Sequence, residues 1–170
     1  MRKRARLRSA LPPALGCAAV LALTAGCATA SASGAAQATA HAKNGPVLKV
    51  DAHSIPGLGT VLVTAQGYAL YMFQPDDDRS VSCTGACAGT WPPLMMPSGG
   101  VVTAGPGVQQ TLLGSDPDPT GGRVATYNGW PLYTYTADIQ PDQATGQNLD
   151  LNGGEWYVLK PSGKPLVPAP

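Results

Sequence analysis

The chain has 170 residues, of which 21 are Gly and 17 are Pro, and only 12 % are charged. That Gly and Pro density breaks helices and argues against a bundle or coiled coil, while the length allows one domain or two small halves rather than a large multidomain enzyme. Five of the 11 basic residues are Arg2, Lys3, Arg4, Arg6 and Arg8, and no acidic residue precedes Asp51, so the +1 total hides a net of −4 after the N-terminal segment, with no basic stripe for nucleic acid.

Residues 1–26 read as an export signal: a basic start, an apolar middle from Leu11 to Ala25, and a small-residue junction. The apolar run carries Pro12 and Pro13 and is too short for the roughly 20 residues of a membrane-crossing helix. Leu23-Thr24-Ala25-Gly26-Cys27 resembles a bacterial lipobox, with the leucine four residues before the cysteine where three is usual. Cys27 is then the lipidated N-terminus, and its palmitate-type acyl chains hold the protein on the outer face of the cytoplasmic membrane, each buried methylene contributing about 0.8 kcal/mol. An ordinary secretory signal, with Cys27 incidental, is the competing reading. Residues 27–46, rich in Ala, Ser, Thr and Gly, lack an apolar stripe and read as a flexible tether.

The remainder, 47–170, is expected to be one β-rich domain built from two repeats, about 47–96 and 108–160. Val61–Asp76 (VLVTAQGYALYMFQPD) and Arg123–Asp138 (RVATYNGWPLYTYTAD) align at an offset of 62 residues. Thr64, Gly67, Leu70, Tyr71 and Asp76 match Thr126, Gly129, Leu132, Tyr133 and Asp138, and Phe73 faces Tyr135 in the alignment. Each copy reads as a hairpin, over Thr60–Phe73 and Val124–Tyr135. Asn128-Gly129 suits a type I′ turn, in which both central residues take positive φ. Alternation sends Tyr71, Phe73, Tyr133 and Tyr135 one way and Leu70 and Leu132 the other, and Pro131 belongs on an edge. Eight of the ten aromatics lie between Tyr68 and Tyr135, so the hairpins are expected to supply the core, packed about a pseudo-twofold axis. Asp76 and Asp138 end their motifs where a carboxylate can accept from following amides or from a tyrosine hydroxyl. A ligand or metal site at the repeat interface is the functional alternative to these capping roles.

Tyr71-Met72-Phe73-Gln74-Pro75-Asp76 and Tyr133-Thr134-Tyr135-Thr136-Ala137-Asp138 both fit Tyr-x-(Phe/Trp/Tyr)-x-x-Asp. With Ser82-Cys83-Thr84-Gly85-Ala86-Cys87, Trp91-Pro92-Pro93-Leu94, Gly146-Gln147 and Trp156-Tyr157, the chain resembles the bacterial secreted-repeat lipoproteins that this motif defines. The resemblance spans about Val47 to Ser162, with an insert-like Asn148–Gly154. It implies export and a duplicated architecture, and carries over no activity, cofactor or catalytic residue.

Cys83 and Cys87 are spaced for a disulfide across one helical turn or compact loop, and an exported protein keeps disulfides. The alternative is an exported copper-binding or thiol-redox, electron-transfer accessory protein using Cys83 and Cys87, with His53, Met72, Met95 and Met96 completing a Cu(I) site. Asp76-Asp77-Asp78, or Asp138, Asp142 and Asp150, are conceivable calcium ligands, but the order of an EF-hand loop is missing. The sequence carries no Gly-x-Ser-x-Gly elbow, a single glutamate (Glu155) and no phosphate-cradling loop, so no catalytic residue is assigned.

Further strands are expected near Val47–Val50, Gln110–Leu113 and Trp156–Leu159, and a short helical turn within Ser80–Thr90 near the cysteine pair. Pro97–Gly107 and Asp116–Gly122 are expected loops, with the acidic, Pro-rich Asp116-Pro117-Asp118-Pro119 marking the junction between halves. The function expected is that of a membrane-anchored extracytoplasmic lipoprotein, a non-catalytic binding or structural module without a cofactor. Its protein or small-molecule partner is not named by the residues.

Overall fold

The computed structural model describes residues 45–76 and 80–169. The expected signal, Cys27 and all but the last two residues of the expected tether lie outside the described residues, as do Asp77 and Asp78.

The chain is mainly β and forms three small sheets. Strand β1 (Val47–Ile55) turns at Gly57 (φ 83) into β2 (Gly59–Thr64), pairing antiparallel from Val50↔Thr64 to Ile55↔Gly59. Strand β3 (Tyr71–Phe73) follows, then a 3-10 turn over Gln74–Asp76 and helix α1 (Ala86–Thr90). Strand β4 (Val101–Ala104) runs parallel to β1, completing the order β2-β1-β4. After a 3-10 turn at Gln110–Leu112 come β5 (Leu113–Pro117), β6 (Arg123–Tyr127) and β7 (Trp130–Pro131) as a second sheet. Strands β8 (Leu149–Leu151) and β9 (Gly154–Val158) form an antiparallel pair, and β9 also pairs with β3.

The second hairpin has the expected tight turn: Asn128 (φ 51) and Gly129 (φ 85) close the pairs Tyr127↔Trp130 and Thr126↔Pro131, and Pro131 lies on the edge strand. The first is shorter than its expected span. Thr64 donates its N–H to the Tyr68 carbonyl, and its Oγ1 accepts from the N–H groups of Gln66 and Tyr68. Its ladder stops when Leu70 donates to Leu62. Tyr71–Phe73 then leave β2 for β9, because their partners there are the aromatic strand Trp156–Val158.

Three local expectations need correction. Pro97–Gly107 contains β4, whose β-branched Val101, Val102 and Thr103 take up the parallel edge of β1. The Gln110 amide covers the outer side of β4, accepting from the Ala104 N–H (2.8 Å) and donating to the Val102 carbonyl (3.2 Å), which blunts a free sheet edge. Gln110–Leu112 is a 3-10 turn, and the strand starts at Leu113. Asp116 and Pro117 belong to β5, and Asp118–Gly122 make the β5–β6 turn, closed by Thr120 and Gly121 on Asp118, so this acidic segment is a hairpin turn rather than an inter-half junction.

Alternation along the motif strands sorts their side chains into two buried clusters. Tyr71, Phe73 and Tyr133 join Trp91 and Trp156 in one, while Leu70, Met72 and Leu132 join Tyr127 and Tyr157 in the other. Both faces of the motif strands are therefore covered, which explains why apolar or aromatic residues occupy both of their alternating positions.

Candidate functional site

The repeat interface starts from the backbone. Tyr71 and Tyr133 form an antiparallel bridge in which each donates its N–H to the other's carbonyl, at 2.9 and 3.0 Å. This sets the two motifs side by side in opposite directions, so each side chain reaches the end of the opposite motif. The Tyr71 hydroxyl donates to Asp138 Oδ2 at 2.6 Å, and the Tyr133 hydroxyl donates to Asp76 Oδ2 at 2.5 Å. The remaining carboxylate oxygens are held locally. Asp76 Oδ1 accepts from the N–H and hydroxyl of Ser82 (2.9 and 2.5 Å), and Asp138 Oδ1 from the N–H and hydroxyl of Thr145 (2.8 and 2.6 Å). The Tyr71 phenol oxygen accepts the Gly146 N–H in return.

Asp76 is 0 % and Asp138 5 % exposed, and a buried carboxylate is tolerated only with such a set of donors. Burial raises the pKa of both phenols well above the ordinary tyrosine value, and the hydrogen bonds to Asp138 and Asp76 raise it further. Tyr71 and Tyr133 are therefore proton donors at neutral pH, and neither is a nucleophile or a base. A capping aspartate and an aspartate accepting from a tyrosine are the same residue here.

The aromatic rings follow the same exchange. Phe73 stacks on Trp156 (4.2 Å between centroids, 18°), Trp156 on Trp91 (3.9 Å, 2°), and Trp91 on Tyr135 (4.0 Å, 20°). Tyr71 meets Trp91 edge-on and Tyr133 meets Trp156 edge-on, each at 5.2 Å. Each such pair is worth about 0.5–1.5 kcal/mol beyond its buried area. Trp91 and Trp156 are thus structural equivalents, as are Ser82 and Thr145. An alignment at a fixed offset of 62 does not pair them. Ser82 and Thr145 are offset by 63 and the tryptophans by 65, the extra residues lying in the loops after Asp138. A gapped comparison anchored on Asp76 and Asp138 would have found them.

Cys83 and Cys87 are joined as a disulfide with a Cα separation of 5.2 Å. It closes the loop beside Ser82, whose N–H and hydroxyl are bonded to the Asp76 of the Asp76–Tyr133 pair. In the second copy Gly146 stands where Cys83 stands in the first. A Cβ on Gly146 would lie 2.5 Å from Trp91 Cη2, so the close packing of the indole takes the place of the crosslink.

The copper alternative draws no support from this arrangement. The sulfurs of Cys83 and Cys87 are bonded to each other, and His53 pairs with Asp142 (3.2 Å) at the surface. Met72 is buried in the other cluster and Met95 is exposed. Among the described residues no group of three or more His, Cys, Asp or Glu is placed to hold a metal. Of the aspartates considered for calcium, Asp138 is engaged by Tyr71 and Thr145, Asp142 by His53, and Asp150 lies on the exposed strand β8. Facing solvent, a groove of about 470 Å³ is lined by Lys49, Asp51, His53, Gln66, Pro141 and Asp142.

A family model described as a secreted repeat of unknown function matches residues 54–95 and 116–160, just over half of the chain. The first matched segment contains Tyr71, Asp76 and Trp91 of the interface, and the second contains Tyr133, Asp138 and Trp156. No curated protein and no solved structure matches the chain.

Proposed function

The chain belongs to this family of secreted repeats of unknown function, and on that premise we propose that it is a lipid-anchored extracytoplasmic module that binds or braces a partner without catalysing a reaction. The observation that carries the reading is the consumption of the motif's polar groups. Tyr71, Asp76, Tyr133 and Asp138 are buried and hydrogen-bonded across the repeat interface, where no substrate reaches them. The motif thus builds the fold, and contact with a partner falls to the outer surface, such as the groove lined by Lys49, Asp51, His53 and Asp142. Support for the anchor comes from the sequence: the five basic residues at the start, the lipobox-like Leu23–Cys27 and the polar tether after it.

Fractionation of expressing cells and mass spectrometry of the mature N-terminus test the anchor. The expected result is a membrane-bound protein that begins at an acylated Cys27 and becomes soluble in Cys27→Ser. An unmodified, cleaved N-terminus in a soluble fraction overturns it.

A further inference from the structure

Both repeats place a strand hairpin ahead of the motif, and each hairpin holds a groove. In the first copy the Leu62 carbonyl accepts from the Leu70 N–H, and in the second the Ala125 carbonyl accepts from the Leu132 N–H. Leu70 and Leu132 are matched motif positions, so Leu62 and Ala125 are equivalent. Their offset is 63 rather than 62 because the second turn is one residue shorter. Through the pairs Ala52↔Leu62 and Ser115↔Ala125, β1 and β5 are equivalent as well. Leu112 then stands where the first copy has Lys49, Gly114 where it has Asp51, and Asp116 where it has His53.

These residues line one groove in each copy, but only the first has its charges balanced. There Asp51 meets Lys49 at 2.8 Å, and Asp142 meets His53 at 3.2 Å. In the second groove, of about 360 Å³, apolar Leu112 replaces the lysine and a carboxylate replaces the imidazole. No Lys, Arg or His pairs with Asp116 among the described residues. The Arg123 guanidinium donates to Ser115, which faces the other side of β5. Asp116 Oδ2 is buried without a hydrogen-bond partner, which costs free energy until a donor is supplied.

The rest of the wall accepts hydrogen bonds too. Gly114 has no side chain, and a Cβ there would stand 2.9 Å from Thr126 Oγ1, so that hydroxyl faces the groove. Asn128 donates through Nδ2 to the Gly163 carbonyl (3.1 Å), which leaves its amide oxygen as an acceptor. One carboxylate is too little for calcium, which takes about 6–8 oxygen ligands, and among the described residues no group of three or more His, Cys, Asp or Glu is placed for a metal. An organic cation that carries further donors fits this wall.

We propose that the groove of the second repeat binds a small amino-polyol of the amino-sugar class, with the ammonium group on Asp116 and neighbouring hydroxyls on Thr126 and Asn128. The ligand's ammonium supplies the charge that Lys49 and His53 supply in the first copy. Such a site rests on the binding role proposed for the module and is independent of its lipid anchor.

Saturation-transfer NMR on the purified full chain in detergent, at about pH 6 so that the amine is protonated, tests it. Glucosamine is expected to bind, while N-acetylglucosamine and glucose, which lack the charge, bind at least about tenfold more weakly. Propylamine, which has the charge and no hydroxyls, is expected to bind more weakly than glucosamine as well. Asp116→Asn should lower the glucosamine affinity at least about tenfold, whereas Asp51→Asn, in the first groove, leaves it unchanged. Absence of glucosamine binding, equal binding of the uncharged sugars or of propylamine, or an unaltered affinity in Asp116→Asn overturns the site. If Asp116→Asn does not fold, the comparison of ligands on the unaltered chain decides. The same titrations in Cys27→Ser are expected to be unchanged, so a failed anchor and a failed site are told apart.

Discussion

Tyr71 and Tyr133 exchange both of their backbone hydrogen bonds, and each donates its hydroxyl to the aspartate that closes the other's motif. Removing one hydroxyl therefore damages the opposite repeat. Tyr71→Phe takes a donor from buried Asp138 and the acceptor from the Gly146 N–H, at an expected cost of about 2–3 kcal/mol. Tyr133→Phe should cost the same to within about 1 kcal/mol, because its environment repeats that of Tyr71. Urea unfolding measures both, and a loss below about 0.5 kcal/mol, the scale of a surface change, in either variant contradicts the reciprocal interface.

Alkaline pH should weaken the fold through the same two phenols. Their folded pKa values lie above the ordinary value, through burial first and the Asp138 and Asp76 hydrogen bonds second. Below about pH 10 they are protonated whether folded or unfolded, and their stabilisation is complete. Above it the unfolded chain releases protons that the folded chain keeps, so stability falls as pH rises, by about 1.4 kcal/mol per pH unit for each tyrosine. Urea melts at a series of alkaline pH values should show this slope, smaller by about 1.4 kcal/mol per pH unit in Tyr71→Phe. An identical slope in that variant would assign the effect to other groups.

The disulfide Cys83–Cys87 closes a ring of five residues, for which loop-closure entropy gives about 2 kcal/mol. The paired Cys83→Ala/Cys87→Ala variant is expected to remain folded and lose about that much. Because the loop also supplies Ser82 to Asp76, amide hydrogen exchange should rise first in residues 80–90. Exchange that rises uniformly along the chain would show the crosslink to be unconnected to that loop.

Two glycines should respond in opposite senses to alanine. Gly146→Ala forces a methyl against Trp91, whose ring is clamped between Tyr135 and Trp156, and overpacking of this kind costs about 1–3 kcal/mol. Gly89 lies inside α1 with open space where a Cβ would stand, so Gly89→Ala is expected to stabilise by about 0.5–1 kcal/mol. Thermal unfolding of the two variants reads both signs, and a neutral Gly146→Ala would mean that the indole is free to shift.

The duplicated motif, the Asn128-Gly129 turn and the Cys83–Cys87 bond are all legible in the residues, because each depends on contacts that close within a few positions. The mainly β character follows equally from Gly, Pro and aromatic placement. Read locally, Asp76 and Asp138 offered carboxylates to nearby amides or to some tyrosine, and the amides of Ser82 and Thr145 do lie six and seven residues away.

Which tyrosine each aspartate meets was decided only in three dimensions. The partners are 57 and 67 residues apart, and they meet because the Tyr71–Tyr133 bridge turns the two motifs antiparallel. The tryptophan pairing was hidden for the same reason, since chains of unequal loop length converge on one stack only when both repeats are packed. The parallel seat of Val101–Ala104 beside β1 likewise depends on an edge left open by a distant strand. Local chemistry thus wrote each half of the interface, and burial of two halves against each other chose how they combine: the hydrogen bond from a tyrosine hydroxyl to each carboxylate is supplied only by the other copy.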